Sequence, residues 1–304
     1  MTRQPFGAAL AERVVVLDGG LATELESQGH DLGSRLWSAR LLAEDPDAVV
    51  AAHAAFFAAG AEVATTASYQ ASFDGLAAAG YDRAGTQRLL QRSVALAQEA
   101  RERSGHPERC HVAASVGPYG AALADGSEYR GDHGLTVAEL RAWHRPRLEV
   151  LADAGADVLA LETVPCLAEA EALVAEVQRL GTPAWLSLTC AGDRTRAGEP
   201  AAEAFALARG VDEVVAVGVN CTDPRDATDL VAAAATASGK PVVVYPNSGE
   251  DWDAEHRRWV GAGAFDAAQV RGWVAAGARL VGGCCRVGPT GIGAVRDVLA
   301  EVAS

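Results

Sequence analysis

VVAVGVN (Val214 to Asn220), the helical stretch Arg225 to Ser238, then Gly239 and PVVVYP (Pro241 to Pro246) read as one strand, helix, strand unit. The two apolar runs show no polar alternation, which marks strands buried on both faces, as in a parallel sheet covered by helices. Gly239 sits just past the helical run, where a left-handed residue closes a helix. Parallel strands joined by a helix are the repeat of α/β folds, so the fold turns on how often the unit recurs.

Outward from this stretch the same pattern runs along the whole chain. VVVLD (Val14 to Asp18), EVATT (Glu62 to Thr66), HVAASV (His111 to Val116), DVLALE (Asp157 to Glu162), AWLSLT (Ala184 to Thr189) and ARLVGG (Ala278 to Gly283) bring the strands to eight. Helical stretches follow them at Asp47 to Ala59, Ala84 to Arg103, Thr136 to Ala154, Leu167 to Leu180, Ala201 to Arg209, Asp266 to Ala276 and Gly291 to Val302. Gly60, Gly155, Gly181, Gly210 and Gly277 take the same closing position as Gly239. Eightfold alternation predicts a TIM-type (βα)₈ barrel, one domain over residues 1–304, because doubly wound open sheets usually stop at about five or six strands.

A hydrophobic content of 49% over 304 residues is ample for such a core. The formal charge of −14 excludes a general nucleic-acid binder, which needs clustered Lys and Arg against phosphates. Glu12 and Arg13 interrupt the apolar stretch Ala8 to Leu17, so no secretory signal is expected, and no run approaches the ~18–20 apolar residues of a membrane span. Six cysteines without such a signal imply reduced thiols in the cytoplasm.

In a barrel of this kind the chemistry sits at the C-terminal ends of the strands. The residues there are Asp18-Gly19-Gly20, Ser68-Tyr69-Gln70, Gly117-Pro118-Tyr119, Glu162-Thr163, Thr189-Cys190, Asn220-Cys221, Asn247-Ser248-Gly249 and Cys284-Cys285. Three thiolates on one Zn²⁺ leave a tetrahedral position open, which distinguishes a catalytic zinc from a closed structural one. The separation of Cys221 from Cys284 is far from the C-x₂₋₄-C spacing of structural zinc, so the assignment rests on where strands six and eight end. The bland alternative is a pair of small buried residues, or an oxidised pair, at Cys284-Cys285. Asp18 reads alternatively as a turn residue and Glu162 as a helix N-terminal acid. Cys110 precedes a strand and belongs to the opposite end of the barrel, whereas Cys166 and Cys190 lie on the catalytic face, where lining the cavity is the favoured role and replacing a metal ligand the alternative. Loops 118–134, 191–200 and 247–263 fall on that face and are candidate substrate walls or lids.

Asp18-Gly-Gly, TTASYQAS (Thr65 to Ser72), VGPYG (Val116 to Gly120), LETVP (Leu161 to Pro165), GVNC (Gly218 to Cys221), YPNSGE (Tyr245 to Glu250) and GGCC (Gly282 to Cys285) together resemble the homocysteine S-methyltransferases. The motifs fall one per strand end from Asp18 to Gly288. The resemblance implies a zinc-dependent barrel that makes methionine from homocysteine, with Cys221, Cys284 and Cys285 as metal ligands. It implies Asp18 and Glu162 for the substrate ammonium, the backbone around Gly19 with Ser68 for its carboxylate, and Asn247 among the substrate-binding residues.

YPNSGE followed by Asp251-Trp252-Asp253 resembles the branch that uses S-methylmethionine, with S-adenosylmethionine as the poorer donor. No cobalamin or folate domain follows Gly288, so a free-standing transferase is expected, as a monomer or small homo-oligomer without nucleic-acid or membrane partners. Tyr69, Tyr119, Tyr129, Trp252 and Trp259 are candidates to hold a sulfonium cation, and truncating Trp252 is expected to raise the donor KM. Two alternatives stand beside this: another acceptor or donor, such as selenocysteine or betaine, and a non-catalytic zinc protein that binds a thiol amino acid.

Overall fold

The computed structural model describes residues 4–32, 37–253 and 258–302. Its eight parallel strands are β1 (Val15–Val16), β2 (Val63–Thr65), β3 (His111–Val116), β4 (Val158–Val164), β5 (Ala184–Leu188), β6 (Val214–Asn220), β7 (Val242–Tyr245) and β8 (Ala278–Val281). Each pairs with its neighbours in chain order, β1 pairs with β8, and a parallel bridge from Leu17 to Val63 closes the ring between β1 and β2. The expected barrel is what the chain forms.

The missing alternation has a simple cause. Val15, Leu17, Val63, Ala113, Val158, Ala160, Trp185, Ala216, Val243, Tyr245 and Leu280 fill the barrel interior, while their neighbours along the same strands pack outward against the helices. Both sets are buried, so both are apolar. The main helices that follow the strands are α2 (Pro46–Ala59), α3 (Arg83–Glu102), α4 (Val137–Asp153), α5 (Leu167–Leu180), α6 (Ala201–Ala206), α7 (Ala227–Ser238), α8 (Val270–Ala276) and α9 (Pro289–Val302), with shorter helical turns in the loops between. All six glycines expected to close helices have positive φ, from 65° at Gly181 to 119° at Gly277.

A seven-residue helix, α1 (Phe6–Glu12), precedes the barrel where sequence reading found only an interrupted apolar stretch. Phe6, Ala9 and Leu10 join the interior cluster. Phe6 packs edge-on against His111 and beside Trp185, and the His111 ring bonds the Gln4 carbonyl at 3.0 Å. Since His111 begins β3, α1 covers the N-terminal end of the barrel. Chemistry is left to the other end.

The outer ring is pinned at one place by charge. Glu176 on α5 is fully buried and receives Arg141 (2.8 Å) and Arg145 (2.9 Å) from α4 and Arg179 (2.8 Å) from its own helix. Burial alone would raise its pKa, but the three guanidinium partners outweigh burial and bring it from 4.5 down to about 2. Glu176→Gln should therefore cost about 2–4 kcal/mol, a fall of several degrees in Tm, because the arginines lose their charge partner. An acid depressed on folding contributes stability above its unfolded pKa and loses it as pH falls towards the folded value. The wild-type advantage should shrink between about pH 4.5 and 2, which thermal scans of both proteins would check.

Candidate active site and metal centre

The three predicted thiols meet at the C-terminal mouth. The sulfurs of Cys221, Cys284 and Cys285 all lie within 4.8 Å of one another. Cys221 Sγ is 2.7 Å from Cys284 Sγ and 4.0 Å from Cys285 Sγ, so no disulfide of ~2.05 Å joins them. Zn–S bonds of ~2.3 Å in tetrahedral geometry would set sulfurs about 3.8 Å apart, and this cluster brackets that spacing. Cys221 is buried and the other two are half-buried. Hydrogen bonds from Cys284 and Cys285 favour a thiolate at Cys221, and that charge then holds the other two thiols protonated. Only a cation placed among them lets all three ionise.

Among the described residues no fourth His, Cys, Asp or Glu completes the cluster. Cys166 and Cys190 are buried on the same face, burial pushes each thiol up to about 12, and neither belongs to it. Cys110 sits just ahead of β3 at the far end, beside Ser104.

Strained backbone sets the Cys221 thiol at the end of β6. Cys221 has φ 46° and Thr163, which follows Glu162 on β4, has φ 59°. Left-handed geometry in a β-branched residue is costly and persists only when its surroundings over-determine it. Asn220 supplies that constraint. Its Oδ1 accepts from Thr163 N (2.7 Å) and Ser187 Oγ (2.8 Å), and its Nδ2 donates to Thr163 Oγ1 (2.8 Å). Thr189 Oγ1 donates to the Cys221 carbonyl at 3.0 Å. Thr163 and Tyr129 stand near enough to the Cys221 sulfur to favour its thiolate, after the two cysteines.

The turn carrying Cys284-Cys285 rests on Asp18-Gly19-Gly20. A Cβ on Gly19 would stand 2.1 Å from the Val287 carbonyl oxygen, and one on Gly20 2.7 Å from that of Cys284. Glycine is required here by close approach of two backbones. On the other side Cys284 N donates to Pro246 O (2.8 Å) and Ser248 N to Cys285 O (3.0 Å). The YPNSGE and DGG segments therefore clamp the vicinal cysteines between them.

Two carboxylates stand in the mouth without a cation. Asp18 is 2% exposed, with Oδ2 accepting from Thr65 N (2.6 Å) and Oδ1 from Thr65 Oγ1 (2.8 Å). Burial raises its pKa from 3.8 to about 8, the Thr65 bonds oppose the rise, and the charge of Glu162 adds to it. Glu162, 7% exposed, accepts from Ser115 Oγ and from Tyr245 OH (3.0 Å), which itself accepts from Trp185 Nε1 (3.0 Å). Burial pushes Glu162 up to about 7 against those bonds. Neither acid has an arginine or lysine partner among the described residues. A cation brought beside the pair would favour the ionised form of both acids.

The other predicted residues divide. Ser68 is fully buried and its hydroxyl points inward, donating to Ser115 O (2.7 Å) and meeting Thr66 Oγ1 (2.7 Å). Asn247 holds its Oδ1 shielded and without a partner among the described residues. Of the predicted aromatics, Tyr69 and Tyr129 have their phenols raised by burial, and both also feel the Cys221 charge. Tyr119 is turned away, edge-on to Trp143 at 5.1 Å. Trp252 and Trp259 are backbone partners in a hairpin of Asp251–Asp253 with Arg258–Val260, and their side chains lie outside the described residues.

A buried arginine that sequence reading did not single out fixes the loops after β2 and β3. Arg147 on α4 donates to Gly117 O (2.6 Å) and to His144 Nδ1 (2.8 Å). His144 Nε2 therefore carries the proton and donates to Glu169 Oε1 (2.7 Å), which also accepts from Tyr119 N (2.6 Å). Burial holds this imidazole neutral by lowering its pKa.

A closed parallel barrel whose mouth places three thiols that could hold a metal ion beside two buried acids has the layout of an enzyme's active site. The chain belongs to the homocysteine S-methyltransferase family, whose profile matches residues 15–299. It is 44% identical over 291 residues to homocysteine S-methyltransferase YbgG of Bacillus subtilis, covering 92% of each chain. It is 44% identical over 302 residues to the Escherichia coli homocysteine S-methyltransferase, covering 96% of this chain and 97% of that one. A selenocysteine Se-methyltransferase of Brassica oleracea is 43% identical over 308 residues, with 93% and 88% covered. The crystal structure of the metallated E. coli homocysteine methyltransferase MmuM superposes with a TM-score of 0.87 at 42% identity, over 98% of this chain and 100% of that one. No helix among the described residues is long and apolar enough to cross a membrane.

Proposed function

We propose that the protein transfers a methyl group from S-methylmethionine, with S-adenosylmethionine as the poorer donor, to the thiol of L-homocysteine, with Zn²⁺ held by Cys221, Cys284 and Cys285. The convergence of three thiols beside two unpaired acids carries this reading. An all-sulfur donor set with an open position suits zinc rather than magnesium or calcium, which take oxygen. The chemistry zinc supplies here is ionisation of an acceptor thiol that, with a pKa near ~8.5, is mostly protonated at neutral pH.

The chain's own residues do the rest. Asp18 and Glu162 take the homocysteine ammonium, the backbone around Gly19 and Ser68 receives its carboxylate, and the shielded Asn247 Oδ1 accepts an N–H of the substrate. Tyr129 and Thr163 steady the Cys221 sulfur. With the acceptor held at three points, the donor methyl need only be brought in line at near-attack distance. One S–CH₃ bond of the sulfonium breaks, the homocysteine S–CH₃ bond forms, and the thiol proton goes to solvent. Two molecules of methionine result from S-methylmethionine.

Every residue in this scheme comes from one chain and one barrel domain, so a monomer suffices, and a small homo-oligomer would only repeat the site. A cluster of free thiols needs a reducing compartment, and we place the enzyme in the cytoplasm. The 43% identity to a selenocysteine Se-methyltransferase makes selenocysteine the second acceptor to try.

The test is methionine formation by reduced, zinc-loaded protein from homocysteine with S-methylmethionine, S-adenosylmethionine and betaine in parallel, and with selenocysteine as rival acceptor. Turnover favouring homocysteine and S-methylmethionine is expected. Turnover only with betaine or only with selenocysteine would overturn the donor or the acceptor assignment respectively.

A further inference from the structure

The loop after β5 delivers a guanidinium to the mouth that nothing so far employs. A short hairpin pairs Cys190–Ala191 with Arg194–Thr195, and Arg196 follows it. The Arg196 guanidinium carbon lies 5.5 Å from the centre of the Tyr129 ring, within cation–π range. Its Nε donates to Thr189 Oγ1 at 3.3 Å. Thr189 in turn donates to the Cys221 carbonyl oxygen at 3.0 Å, and the Tyr129 hydroxyl lies near enough to feel the Cys221 charge. Arg196 is therefore one residue removed from Cys221 through Thr189, and it also stacks on the Tyr129 ring.

Other arginines near the mouth are committed: Arg286 to Glu250 (3.1 Å) and Arg147 to the Gly117 carbonyl. Arg196 is half-buried, and among the described residues its terminal nitrogens meet no carboxylate. The rest of the mouth, with Asp18, Glu162 and three thiols, attracts cations and repels anions. A guanidinium fork without a partner in such surroundings fits one kind of group, a planar carboxylate.

We propose that Arg196 binds the α-carboxylate of the methyl donor, so that the site selects an amino-acid sulfonium. This rests on the donor reading above. The homocysteine carboxylate is assigned to the loops of β1 and β2, across the mouth from the loop of β5, which leaves the donor's carboxylate as the anion to be paired. Arg196 lying on one side of the Tyr129 ring also spaces the guanidinium from the sulfur cluster. The sulfonium can then sit at the thiols while its own carboxylate screens it from the arginine.

The test compares wild type with Arg196→Gln and Arg196→Lys, all zinc-loaded, on S-methylmethionine and on its carboxamide, which keeps the sulfonium and removes the negative charge. Arg196→Gln should raise the KM for S-methylmethionine at least about tenfold, the loss of one charge-assisted contact, and leave both the carboxamide KM and the homocysteine KM within about twofold. Calorimetric titration of S-methylmethionine should show the same weakening, and Arg196→Lys should recover part of it. Equal changes with both donors, or a shift in the homocysteine KM instead, would overturn the assignment. Wild-type turnover of S-methylmethionine with an indifferent Arg196→Gln sinks this inference alone. Wild type inactive on both sulfonium donors sinks the donor reading and this inference with it.

Discussion

Cys221→Ser and Cys284→Ser are each expected to abolish metal retention and methyl transfer together. The cluster has three sulfurs within 4.8 Å of one another and no fourth His, Cys, Asp or Glu among the described residues, so on the proposed ligand set removing one leaves a two-thiol site with nothing in reserve. Loss of thiol activation is worth several kcal/mol, and the rate should fall about a thousandfold or more. Cys166→Ser and Cys190→Ser are the matched controls. Both thiols are buried on the same face, yet both stand outside the cluster, and one zinc per chain should persist in each variant. Metal content by atomic absorption, read beside turnover, decides it. Zinc retained by Cys221→Ser, or lost from Cys190→Ser, would require a different ligand set and would revive the non-catalytic zinc-binding reading.

The strands were legible because burial on both faces leaves an unbroken apolar run, and strand ends follow once the runs are placed. That logic brought Asp18, Glu162, Cys221, Cys284 and Cys285 to one mouth from positions scattered over the whole chain. It stops where a side chain's direction matters. GVNC places Asn220 beside Cys221, but no local pattern announces that Asn220 clamps Thr163 across two strands and holds both residues at positive φ. Ser68 was legible as a position on the catalytic face, whereas its inward bond to Ser115 depends on a register that only the folded sheet sets. Arg196 meets Tyr129 through loops from β3 and β5, a long-range pairing with no spacing signature. The helix α1 escaped for another reason. Seven residues are too few for periodicity to declare itself, and its burial comes from the barrel floor it covers rather than from its own pattern.

Asp18→Asn should bind homocysteine about a hundredfold more weakly and yet be the more heat-stable protein at pH 8. Both effects come from one cause. Asp18 is buried beside Glu162 with only Thr65 donating to it, so folding raises its pKa from 3.8 to about 8. An acid raised on folding binds a proton that the unfolded chain releases, and stability must fall as pH rises through that window. Asparagine keeps the acceptor for Thr65 N, turns its amide to donate to Thr65 Oγ1, and carries no charge to desolvate. The stability difference should be small near pH 4 and grow to a few degrees of Tm by pH 8. On the proposed role the acid is costly until an ammonium meets it, and losing that charge-assisted contact in a dry pocket is worth about 3 kcal/mol, hence the hundredfold. Glu162→Ala should likewise lose homocysteine affinity while keeping its zinc, since Glu162 is bonded to Ser115 and Tyr245 and not to any cysteine. Homocysteine added to wild type should raise Tm most at high pH, where the ammonium meets two ionised acids. A stability difference between wild type and Asp18→Asn that does not change with pH, together with unaltered homocysteine affinity, would mean that the acid pair does not wait for a cation.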